Sequence, residues 1–161
     1  AISLAPEGMV IEELDIHHIP LFDEDVEEEG APQSVISFKE SVGAADGLLI
    51  VTPEYNWGIP AVTKNLIDWA SRRTPPGNVL LNKPVSIMAI SGGRGSGAFA
   101  RRHVRDVILF PRAIPMPFGD VGLSGGPSNF DGSGNLIDEA ARTQVEQNLV
   151  AFADWIQKVT G

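Results

Sequence analysis

Residues 47–71 read GLLIVTPEYNWGIPAVTKNLIDWAS, and the fold turns on this stretch. GLLIV is a short, continuous apolar run opened by glycine, the pattern of a strand covered on both faces and therefore part of a parallel sheet. PAVTKNLIDWAS, with Pro60 at the first helical position, reads as the following helix. Between them lies a rigid, aromatic, amide-rich loop. Pro53 stiffens it, Tyr55 and Trp57 offer flat faces, and the backbone amides around Glu54 and Asn56 can meet a polar ring edge. In an open parallel sheet, ligands bind at the carboxyl ends of the strands, so a loop of this composition suits a flat heterocycle.

A second loop of the same kind follows the next apolar run, PVSIMAI. SGGRGSG, residues 91–97, brings main chain close to a ligand without Cβ clashes and leads into a helix start. Either loop alone reads as an ordinary tight connection; on successive strands they reinforce each other. Around them, strand-like and helix-like segments alternate. MVIEELDI (9–16) has the partial alternation of a strand near a sheet edge. PQSVISFKESVGAA and GAFARRHVRDVILF read as helices, AIPMPF as a short strand interrupted by proline, and LIDEAARTQVEQNLVAFADWIQKV as a long amphipathic final helix. GDVGLSGGPSNFDGSGN reads as a glycine-rich connection. The order is that of an α/β domain with right-handed crossovers, and residues 1–161 are expected to form one domain.

Composition excludes several classes of function. A chain of 161 residues, 43% hydrophobic and 20% charged, can bury a core unaided. The formal charge of −9 argues against nucleic acid and against an anionic membrane surface. No apolar run approaches the roughly 18 residues of a membrane span. The absence of cysteine removes disulfides, thiolate metal sites and a cysteine nucleophile, and fits a cytoplasmic address.

Other motifs lack part of the chemistry they suggest. GRGSGA (93–98) fits a loose dinucleotide fingerprint, with Asp120 as its ribose-binding carboxylate, but leaves TPEYNWG unexplained. Gly92 and Gly97 have the spacing of a phosphate-binding loop, but Ala98 and Phe99 stand where Lys and Ser/Thr are needed. DEDVEEE (23–29) reads as a solvated face rather than a metal cluster. DGSGN (131–135) begins like a calcium loop, but Leu136 and Arg142 break the pattern, leaving a turn. His17, His18 and His103 lack a paired carboxylate at catalytic spacing, and Ser96 lacks a nucleophile elbow. No catalytic side chain or metal ligand is assigned.

TPEYNWGIPAVTKNLIDWAS, LAPEGMVIEELDIHHIPLFDEDVE and NKPVSIMAISGGRGSG together resemble the NADPH-dependent FMN reductase family, across nearly the whole chain. The resemblance implies a flavodoxin-like three-layer α/β sandwich and an NAD(P)H-dependent reductase that uses FMN, with NADPH or NADH as reductant. It implies a ping-pong cycle ending on a small-molecule acceptor: a quinone, free flavin or chromate-type oxyanion. Matched to the family's motifs, the cofactor-binding residues are Pro53, Glu54, Tyr55 and Asn56, then Ser91, Gly92, Gly93, Arg94 and Gly95. Arg94 is the candidate cation for a nicotinamide-cofactor phosphate or an anionic acceptor. The family's first strand and phosphate-binding loop have no counterpart in residues 1–161, so the slot beside 9–16 and GLLIVT is expected to lack its strand. The resemblance also implies a homo-oligomer, dimer or tetramer, for which Leu66, Ile67 and Trp69 offer an apolar face. A flavin-binding carrier or sensor without nicotinamide-dependent turnover is the alternative within the same fold.

Overall fold

A computed structural model of the chain describes residues 1–161. Its axis is strand β2 (Pro84–Ile90), buried along its length up to the half-buried Ile90. Strand β1 (Leu48–Pro53) lies parallel to it, from Leu48 opposite Val85 to Pro53 opposite Ile90. The other edge of β2 is shared by two short parallel strands: β3 (Ile114–Pro115) beside Pro84 and Val85, and β4 (Val121–Leu123) beside Met88, Ala89 and Ile90. Helices α1 (Glu24–Glu29), α2 (Gln33–Ala44), α3 (Ala61–Ser71), α4 (Ala98–Leu109) and α5 (Glu139–Thr160) complete the chain.

Successive β2 residues point to opposite faces, and each face has its own core. Val85 and Ile87 pack with Val42, Ile67, Ala70, Val104 and Ile108 from α2, α3 and α4. Met88 packs on the other face with Val121 and with Val145 and Leu149 of α5. This is the three-layer, all-parallel arrangement expected of the continuous apolar runs. No helix is long and apolar enough to cross a membrane.

Three expectations are corrected. Residues 9–16 form no strand: they run without a ladder partner, and Met9, Ile11 and Leu14 pack as a strap onto the two cores. Alternating apolar residues serve an extended strap as well as a strand, and only a hydrogen-bonded neighbour distinguishes them. The outer edge of β1 stays open. Second, the glycine-rich connection contains β4. Third, Ile67 and Trp69 are buried, at 6% and 0% exposure, so of the three residues expected to offer an apolar face to a second copy only the half-buried Leu66 is left on the surface of α3. Both face their own core, and Pro60 sits one position earlier than expected, as the N-cap of α3.

The polar side chains of α3 hold the acidic segment in place. Trp69 Nε1 and Asn65 Nδ2 donate to the Pro20 carbonyl at 2.9 and 2.8 Å, and Phe22 N donates to Asn65 Oδ1 at 2.7 Å. Phe22 meets Trp69 edge-on, and the Arg72 guanidinium lies 4.7 Å from the Phe22 ring centroid. DEDVEEE is not merely a solvated run: Asp23 caps α1, and Glu27 accepts from Arg72 Nε at 2.6 Å. The fully buried Lys39 donates to the carbonyls of Arg72 and Thr74 at 2.9 and 2.6 Å, and burial pushes its pKa down.

The hydrogen bond from Arg72 holds Glu27 below its ordinary value of 4.5. The stability from this pair is therefore complete above pH 4.5 and lost as pH falls through the lower folded value. Glu27→Gln should cost roughly 1 kcal/mol at pH 7 and flatten the fall in stability below pH 4.5, as read by urea denaturation across a pH series.

Candidate functional site

The site is built where β1 and β2 end side by side. Thr52 is buried, and its hydroxyl shares a 2.9 Å hydrogen bond with that of Thr63, tying the end of β1 to the first turn of α3. Glu54 N donates to the Ile90 carbonyl at 3.1 Å, extending the ladder by one step. The chain then reverses: Tyr55 N donates to Gly58 O and Gly58 N to Tyr55 O, both at 3.0 Å. The two residues between, Asn56 and Trp57, have φ of 50° and 61°, the left-handed pair of a type I′ turn. Asn tolerates this conformation, whereas for a bulky residue such as Trp it costs about 1–2 kcal/mol.

The second loop leaves β2 at Ser91, whose N–H donates to the Leu123 carbonyl at 3.0 Å. Ser96 and Gly97 carry φ of 49° and 69°, and a Cβ at Gly97 would stand 2.6 Å from that of Ala89. Only glycine admits this approach of α4 to the sheet. The N-cap residue Gly97 has no side chain to cap α4, and Glu54 does so from the first loop. Its Oε2 accepts from Phe99 N at 2.9 Å and Ala100 N at 3.1 Å.

A third loop, unforeseen in the sequence, closes the group. It follows β4, and a Cβ at Gly126 would lie 3.4 Å from the Gly92 Cα. Asn129 holds it by donating to Ser124 O at 2.6 Å and Gly126 O at 3.3 Å. Gly122 offered the one clue: a Cβ there would come within 2.5 Å of Ser96 O, so this glycine serves packing.

The structure thus brings Pro53, Glu54, Tyr55 and Asn56 beside Ser91, Gly92, Gly93, Arg94 and Gly95. The backbone N–H groups of Asn56, Trp57 and residues 92–95 donate to no protein acceptor. A Cβ at Gly92 or Gly95 would meet nothing within 4 Å, and at Gly93 only Ser91 Oγ at 3.9 Å. Open main chain, free donors and exposed aromatic faces fit the polar edge and flat body of an isoalloxazine ring. Glu54, expected among the cofactor-binding residues, turns its carboxylate to the start of α4.

The alternative readings lose their residues. Asp120 is gripped by Arg105 through two bonds of 2.8 and 2.7 Å, so it is not free to bind a ribose. Asp131 accepts from the amides of Ser133 and Asn135, each at 2.9 Å, making a turn of the calcium-like DGSGN. His17 and His18 are exposed at a bend, and His103 lies under Gly58, 3.3 Å from where a Cβ would stand.

The family model for NADPH-dependent FMN reductases matches residues 1–128, which include residues 53–56 and 91–95. The chain belongs to this family. The NAD(P)H-dependent FMN reductase of Pseudomonas aeruginosa is 42% identical over 161 residues, covering 100% of this chain and 86% of the relative. The quinone reductase of Escherichia coli K12 is 38% identical, over 98% of this chain and 84% of its own. Among solved structures, the flavoenzyme NAD(P)H:(acceptor) oxidoreductase FerB of Paracoccus denitrificans superposes with a TM-score of 0.84 at 29% identity, covering 97% of this chain and 85% of FerB. The flavodoxin-like fold of the FMN reductases is therefore the fold of this chain.

Because Glu54 caps α4 across the two loops, Glu54→Ala should destabilise the protein by about 1–2 kcal/mol. Hydrogen exchange at the Phe99 and Ala100 amides should accelerate, while amides in α5 exchange no faster than the global loss of stability requires.

Proposed function

We propose that this protein is an FMN-dependent NAD(P)H oxidoreductase that passes electrons to a small-molecule acceptor of the quinone or free-flavin type. One observation carries the reading: two loops rich in free amides, on adjacent strands, are joined through Glu54 and leave uncrowded glycine main chain open at Gly92, Gly93 and Gly95, with Tyr55 and Trp57 exposed on the first loop. Bound FMN supplies the redox chemistry, so the site needs no nucleophile or metal of its own. The net reaction with a quinone is NAD(P)H + H⁺ + quinone → NAD(P)⁺ + hydroquinone, which balances two electrons and two protons.

The chain's own groups position the reactants. The amides of Asn56, Trp57 and Gly92–Gly95 meet the polar ring edge, and the Asn56 side chain adds a further donor and acceptor. Pro53 and Tyr55 wall one side. Glycines at 92, 93 and 95 let the ring approach main chain directly. Arg94 is exposed and in no ion pair, so its guanidinium is free to attract the phosphates of the nicotinamide cofactor. The names of the relatives support both free-flavin and quinone acceptors; a chromate-type oxyanion is less favoured by a protein of charge −9.

Anaerobic mixing of the FMN-loaded protein with NADPH or NADH in a stopped-flow instrument tests the activity. Bleaching of the flavin band followed by reoxidation with a quinone is expected; no bleaching with either nucleotide would leave a flavin carrier instead. Tyr55→Ala with Asn56→Gly, which keeps the turn, should weaken FMN binding about tenfold, measured by quenching of FMN fluorescence. Unchanged affinity would remove this loop from the site.

A further inference from the structure

Trp57 has no structural reason to be a tryptophan. The turn it occupies favours glycine after asparagine, and its side chain is not core: it is 77% exposed. The other two tryptophans are structural. Trp69 is fully buried and donates its indole N–H to Pro20 O, and Trp155 donates its own to Ile114 O at 3.3 Å. The Trp57 indole N–H has no protein partner, and its ring stacks on Phe99, itself 49% exposed, with centroids 5.5 Å apart and planes 24° apart. Phe99 is fixed through its amide by Glu54, and Gly58 rests on His103.

We infer that Trp57 and Phe99 form an acceptor-selecting wall, which takes flat fused-ring acceptors, such as naphthoquinones and flavins, by stacking. The inference rests on the oxidoreductase reading and narrows its acceptor class. Strain at an exposed aromatic residue in a loop with free amides is the pattern of a conformation kept for binding rather than for stability. The free face of Trp57 continues the aromatic surface begun by Phe99, and every fused-ring acceptor has a π-face to lay against it. A small compact anion has none, and the acidic protein repels it.

The test compares the wild type with Trp57→Gly and Trp57→Phe, all FMN-loaded. Calorimetry measures binding of 2-methyl-1,4-naphthoquinone to the oxidised protein, and steady-state kinetics give kcat/KM for that quinone and for ferricyanide. In Trp57→Gly, quinone affinity should fall on the order of tenfold, since stacking of a flat ring on an aromatic side chain is of that size. The quinone-to-ferricyanide ratio of kcat/KM should fall equally, Tm should hold or rise because Asn-Gly suits the turn, and Trp57→Phe should restore most of the affinity. Unchanged quinone affinity, or a parallel loss for both acceptors with a lowered Tm, overturns the wall. A wild type that oxidises neither nucleotide overturns the parent reading instead, and the calorimetric comparison then decides the stacking surface alone.

Discussion

The carboxylate of Glu54 on the first two free amides of α4 is the constraint on which the site depends. A helix start carries unsatisfied N–H groups and the positive end of the helix dipole. Here the neighbouring loop satisfies them with a charged acceptor, while the helix's own N-cap is a glycine. That glycine is required by the approach of α4 to Ala89. The same contact therefore solves a capping problem created by close packing and locks the two loops into one body. It also sets Phe99 beside the first loop, where Trp57 stacks on it.

The sheet provides the ground for that contact. β2 alone is flanked on both sides, and its two faces feed two separate cores, so its carboxyl end is held by strands on either side. β1 and β4 continue beside it through Glu54 N to Ile90 O and Ser91 N to Leu123 O. Three loops thus leave the sheet at one level, and Gly92, Gly122 and Gly126 allow them to touch through main chain. Preorganised amides of this kind need no rearrangement when a planar ligand arrives.

Much of this was legible in the sequence, for physical reasons. PVSIMAI is buried on both faces and GLLIVT, though only half-buried with Val51 exposed, carries no alternation to misread, and the loops after them combine rigid, aromatic and glycine residues that neither turns nor cores ask for together. The rest depended on distant partners. Glu54 stands out in the sequence, but its capping role depends on residues 99 and 100 lying beside it. β4 has three residues around a glycine and becomes a strand only because β2 offers an unfilled edge. Residues 9–16 have the right alternation but no neighbour to pair with. Ile67 and Trp69 looked available for self-association because sequence does not reveal that Pro20 and Phe22 fold over the same helix.

The central claim is that the amides of the two loops meet the flavin. A titration of ¹⁵N-labelled protein with FMN, followed by amide correlation spectra, addresses it directly. The account predicts that the largest shifts fall on Asn56, Trp57 and residues 92–95, with Phe99 and Ala100 held on Glu54 throughout. Shifts centred instead on the open depression between Met116, Phe118 and Trp155, with the loop amides unmoved, would contradict it.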